Sequence, residues 1–124
     1  MIDVIKDVPA NVAGFRASGE VTADDYKNVM EPHVKQLVEK TGELNFLYMV
    51  DTDVANFTAG AWLRDVLLGI KQLAKWRRGA IVTHQEGAIK FTDAFSIIAP
   101  GEFKGFHPEE YNEAVGWVSG NSEA

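Results

Sequence analysis

The stretch Leu44-Asn45-Phe46-Leu47-Tyr48-Met49-Val50 is apolar at every position but one. A strand without polar alternation suits a place where both of its faces are covered, as in the middle of a parallel sheet. Working outward from it, Ala80 to Thr83 reads as a second short buried strand, set off by Gly79, and Phe103 to Phe106 as a third. Helical spacing fills the intervals. Trp62, Leu63, Val66, Leu67, Ile70, Leu73 and Ala74 mark one face of a helix from about Thr58 to Trp76. Ala88, Phe91 and Phe95 mark another, stopped by Pro100. Pro108 stands where a first helical turn begins, beside Glu109 and Glu110, and Ala114, Trp117 and Val118 give that last helix its apolar side.

Before the central run, Ile2 to Val8 reads as a strand ended by Pro9 and Asn11. Val12 to Gly19 follows as a second strand, with Ala13, Phe15 and Ala17 alternating against Gly14, Arg16 and Ser18. The short connection implies an antiparallel hairpin. Thr22 caps a helix, with Asp25 three residues on, and Tyr26, Val29, Met30, Val34, Leu37 and Val38 form its apolar stripe. Pro32 lies inside that stripe and either kinks the helix or restarts it, and Gly42 ends it. His33 beside the stripe reads as a packed or boundary histidine. Strand, strand, helix and then repeated strand–helix units predict an α/β fold. Its sheet is mixed, mostly parallel and five-stranded, with an N-terminal antiparallel hairpin and about four helices around it. One domain is expected over 1–119, with a tail at 120–124.

The 124-residue chain is 46% hydrophobic and 24% charged, ordinary values for one globular domain. It has no cysteine, which excludes disulfides, thiolate metal sites and cysteine nucleophiles. The start of the sequence lacks the basic and apolar regions of a signal peptide, and no apolar run is long enough to span a bilayer, so a cytoplasmic protein without stable membrane insertion is expected. A net charge of −6 disfavours nucleic acid as a partner. The basic cluster Lys71, Lys75, Arg77 and Arg78, with Trp76 among them, reads as a helix end whose cations meet the negative pole of the dipole. No Walker loop or dinucleotide fingerprint occurs, and neither a cofactor nor a metal is expected.

Four stretches together resemble the SpoIIAA-like family, a STAS/CRAL-TRIO-like group of small bacterial proteins. They are Val21-Thr22-Ala23-Asp24-Asp25-Tyr26, Ala61-Trp62-Leu63-Arg64-Asp65, Arg78-Gly79-Ala80-Ile81-Val82, and Pro100-Gly101-Glu102-Phe103-Lys104-Gly105-Phe106 with Glu113-Ala114-Val115-Gly116-Trp117. The resemblance implies a sheet with helices around it. It also implies two possible roles, since STAS domains antagonise anti-sigma factors under control of serine phosphorylation and CRAL-TRIO domains hold lipids. Where the STAS pattern has Asp-Ser-Ser-Gly-Leu, this chain has Phe57-Thr58-Ala59-Gly60-Ala61. Ala59 takes the phosphorylated position, and Thr58 matches only the neighbouring serine.

Ligands of open α/β sheets bind beyond the carboxyl ends of the strands. Those ends here supply Asp51, Thr52 and Asp53, then Thr83 and His84, then His107, with the Thr58 hydroxyl at a helix start. Phe57 and Trp62 frame that start and read as an interface or pocket pair. The expected function is a non-enzymatic binding or regulatory module, a homodimer that recognises a protein partner or an apolar, lipid-like small molecule. Two alternatives stand beside it. One is a small enzyme using Asp51 to orient His84 as a base, and the other is a regulator controlled through phosphorylation of Thr58.

Overall fold

The computed structural model describes residues 1–53, 56, 75–96 and 101–120, with only the backbone of Phe91 and Phe95 included. The helix read from Thr58 and the residues Phe57, Thr58 and Trp62 lie outside the described residues, as do Lys71 and Pro100. Five strands form one sheet in the order of the chain: β1 (Ile2–Ile5), β2 (Ala13–Ala17), β3 (Leu44–Val50), β4 (Trp76–Val82) and β5 (Glu102–Phe106). β1 pairs antiparallel with β2, and every later pairing is parallel. The mixed, mostly parallel sheet and its antiparallel hairpin are thus as the sequence implies. Three helical segments accompany it among the described residues.

β3 is the middle strand and almost fully buried. Its side chains alternate between two cores. Leu44, Phe46, Tyr48 and Val50 join Phe15, Ile81 and Phe103 beneath the first helix, whose Met30, Val34 and Leu37 pack on them. Leu47 belongs to the other core with Ala80, Val82 and Phe106, covered by Ala114, Trp117 and Val118 of the last helix. A strand with a core on each side has no solvent face on which to place polar residues, hence its nearly continuous apolar run. The one polar side chain, Asn45, is buried and hydrogen-bonded to the Asn11 carbonyl and to Arg77.

The first helix begins as α1 (Ala23–Asp25) with a complete capping box. The Asp25 amide donates to Thr22 Oγ1 and the Thr22 amide donates to Asp25 Oδ2. One π turn (Tyr26–Met30) follows, in which the Glu31 N–H donates to the Tyr26 carbonyl five residues back. α2 (Glu31–Thr41) then carries Pro32 in its first turn. Proline has no N–H to donate and its ring crowds the carbonyl four residues earlier. The wider turn places that defect where the next helix starts, so the helix restarts rather than breaks. It stops at Gly42, whose φ of 83° lets its N–H reach the Val38 carbonyl at 2.8 Å.

α3 (Glu86–Phe95) precedes β5, and a 3₁₀ turn (Pro108–Glu110) leads into α4 (Tyr111–Ser119). One expectation needs correction. Trp76 does not end a helix; it opens β4, and Arg77 and Arg78 lie in that strand rather than on a helix end. The physical reason is the partner available to them. Arg77 Nη1 donates to Asn45 Oδ1 at 2.9 Å and to the Val118 carbonyl at 3.3 Å, while Arg78 Nη1 donates to the Trp117 carbonyl at 2.6 Å. The two guanidinium groups do meet the negative pole of a helix, but it is that of α4, brought in by tertiary packing.

Candidate functional site

The order of β3, β4 and β5 places their carboxyl ends side by side. Asp51, Thr52, Asp53, Thr83, His84 and His107 therefore share one rim of the sheet. The buried Thr52 is its tie point. Its hydroxyl donates to the Gly19 carbonyl at 2.8 Å and accepts from Asn56 Nδ2 at 2.9 Å, and its carbonyl accepts from Gln85 Nε2 at 2.7 Å. The Thr83 hydroxyl accepts from the Gln85 amide at 3.3 Å. The loops after β2, β3 and β4 are thereby laced together.

The charged groups on this rim have separate partners. Asp51 Oδ2 meets Arg16 Nη2 at 2.5 Å, with both side chains about half exposed. His107 Nε2 lies 3.0 Å from Glu86 Oε1, and its backbone N–H donates to Glu110 Oε1 at 2.8 Å. His84 and Asp53 are exposed. No hydrogen bond or ion pair joins Asp51 to His84 among the described residues. Of the residues the sequence singled out, Asp51, Asp53, His84 and His107 share the rim, but not as an aspartate–histidine pair, and Phe57, Thr58 and Trp62 lie outside the described residues.

At the opposite end of the sheet lies a concavity that sequence reasoning missed. A groove of about 340 Å³ runs between the β1–β2 hairpin and α2. Its apolar wall is made by Val4, Ile5, Val8, Pro9, Ala10, Val12 and Leu37. Lys6, Lys40, His33 and Gln36 complete the lining, and no carboxylate is among the lining residues. In a chain with 18 acids against 12 lysines and arginines, that is a local inversion of charge. His33 is held edge-on to Phe15, ring centroids 5.4 Å apart. Nothing in the sequence marks the groove, because its lysines stand singly on a strand end and a helix end and look like ordinary surface.

All three tyrosines hold their hydroxyl protons more strongly than usual, Tyr111 through burial with the Asp7 carboxylate nearby. Burial pushes Tyr48 up, with the Asp25 carboxylate adding to the effect. Burial, with Glu31 nearby, pushes Tyr26 to about 12. The Tyr48 hydroxyl and Trp76 Nε1 are buried without a hydrogen-bond partner among the described residues.

The sheet thus runs in chain order with an antiparallel first strand, and helices cover both of its faces. The chain belongs to the SpoIIAA-like family, whose pattern matches residues 12–119. The fold is similar to the crystal structure of an uncharacterized DUF3478-family protein with a SpoIIAA-like fold from Shewanella loihica PV-4. The TM-score is 0.68 and the identity 25%, over 94% of this chain and 93% of that one. No protein of curated function matches the sequence. Family and fold support a module of the binding or regulatory type. Among the described residues, no helix is long and apolar enough to cross a membrane.

Proposed function

We propose that this protein is a non-enzymatic binding module. It takes an apolar group, offered by a protein partner or a small molecule, into the groove between the β1–β2 hairpin and α2. The observation that carries this reading is the groove's composition, an apolar wall around about 340 Å³ with cations and no carboxylate in its lining. That volume falls in the lower part of the range for ligand pockets, roughly 300–1,000 Å³. The carboxyl rim supports catalysis less well, because Asp51 is engaged by Arg16 and His107 by Glu86. The proposed module is cytoplasmic and homodimeric, as expected from the sequence.

The test is a titration with 1-octanol and with octanoate, followed by amide NMR shifts. Saturable shifts at Val8, Val12 and Leu37 are expected. Ala10→Trp, which places a large ring in the groove from an exposed position, should abolish them while leaving the rest of the spectrum in place. Shifts that never saturate, or that map to the carboxyl rim, would remove the groove as the site.

A further inference from the structure

The two edges of the sheet are finished differently. On β5, the outward N–H of Phe103 donates to Ser96 Oγ and that of Gly105 to Asp93 Oδ1, both at 2.9 Å. Side chains near and on α3 thus occupy the donors that another strand would need. β1 has no such cover. Met1 and Ser18 exchange backbone hydrogen bonds at 2.8 and 2.9 Å, which sets the phase of the ladder. By alternation Asp3 and Ile5 face β2, whereas Ile2 and Val4 turn their backbone groups outward. Among the described residues, nothing bonds to them. The groove runs along this same open edge, with Val4, Ile5 and Lys6 contributing to its lining.

We infer that β1 is a docking edge for an extended acidic segment of a partner protein, which adds as a sixth strand. This rests on the groove reading and names its occupant. Backbone pairing to Val4 supplies affinity. Alternate side chains of the added strand supply selectivity, an apolar one entering the groove and carboxylates meeting Lys6 and Lys40. The charge argument selects the segment, since the lining offers cations without a single carboxylate. A second copy of this chain fits less well, because its own β1 segment carries a lysine, Lys6, as well as acids.

The probe is the hexapeptide acetyl-Glu-Val-Glu-Val-Glu-Val-amide, with two controls: the lysine counterpart Lys-Val-Lys-Val-Lys-Val and a version N-methylated at alternate residues. Binding is read by amide NMR shifts and by hydrogen-exchange protection at Val4. The acidic peptide should protect the Val4 amide, and both controls should bind at least about tenfold more weakly. Val4→Pro removes the outward donor at a position edge strands tolerate, leaves a smaller apolar side chain in the groove wall, and should abolish peptide binding with the β1–β2 pairing intact. Equal binding of the N-methylated peptide overturns strand addition, and equal binding of the lysine peptide overturns the charge argument. Octanoate shifts without peptide protection leave the groove standing as a small-molecule site and overturn the docking edge. Silence from peptide and octanoate alike removes both readings. Dimerisation that shields Val4 and is lost in Val4→Pro assigns the edge to a second copy and overturns the inference.

Discussion

The guanidinium of Arg78 lies 5.0 Å above the ring of Trp117 and donates to that residue's own carbonyl at 2.6 Å. One strand side chain thus holds both the ring and the terminal backbone of α4. A charge-assisted bond to a helix end and a cation over an indole are each worth about 1 kcal/mol or more. Arg78→Ala is expected to lower stability by about 2 kcal/mol in urea denaturation. Arg78→Lys should recover less than half of that, because an ammonium lacks the planar fork.

Gly79 is required by the ring of Phe103. A Cβ at that position would sit 2.6 Å from the nearest ring atom, too close without a shift of the buried ring. Gly79→Ala should destabilise by about 1–3 kcal/mol, the usual cost of overpacking. Combining it with Phe103→Leu should recover part of the loss in a double-mutant cycle, and strict additivity would show that the ring is not the obstacle.

Tyr48 is fully buried and its hydroxyl has no partner among the described residues. A buried polar group left unbonded costs about 1–3 kcal/mol. Tyr48→Phe removes the cost and keeps the ring, so thermal melting should show equal or higher stability, by up to about 1 kcal/mol. A clear loss would mean that the hydroxyl is bonded in solution.

Asp25 gives the fold an acid limit. Burial alone would raise its pKa, but the Thr22 backbone hydrogen bond, the Met1 ammonium and the Thr22 hydroxyl outweigh it and bring it below 3.8. A carboxyl lowered on folding contributes stability above its unfolded pKa and loses it as pH falls through the folded value. Asp25→Asn should therefore be less stable than the wild type at neutral pH. The difference should close as pH drops below 3.8, read from urea midpoints across pH.

Asp93 and Ser96 keep the β5 edge closed. Replacing both with alanine should leave a folded protein that self-associates beyond the wild type as concentration rises, seen by sedimentation velocity. Unchanged sedimentation would mean that the edge is protected by something other than these two side chains.

Much of the fold could be read from residue patterning. The apolar run at Leu44–Val50 is legible because two cores bury both faces, and Thr22, Pro32 and Gly42 mark where the first helix starts, adjusts and stops. Trp76-Arg77-Arg78 was not legible as strand. Its arginines are satisfied by α4, some forty residues away, and no local pattern carries that information. The candidate site divides in the same way. Strand ends follow from topology, so the carboxyl rim could be foreseen. The groove could not, since it exists only where the hairpin and α2 leave a gap between them.

Each strand of this sheet lies next to the strand that precedes it in the chain. During synthesis, therefore, every new strand meets a template that has already emerged, and no gap has to be held open for a later insertion. Assembly can advance from the hairpin outward in the direction of translation. The growing edge is successively β2, β3 and β4, and it is closed only when β5 arrives with Asp93 and Ser96 already waiting beside it.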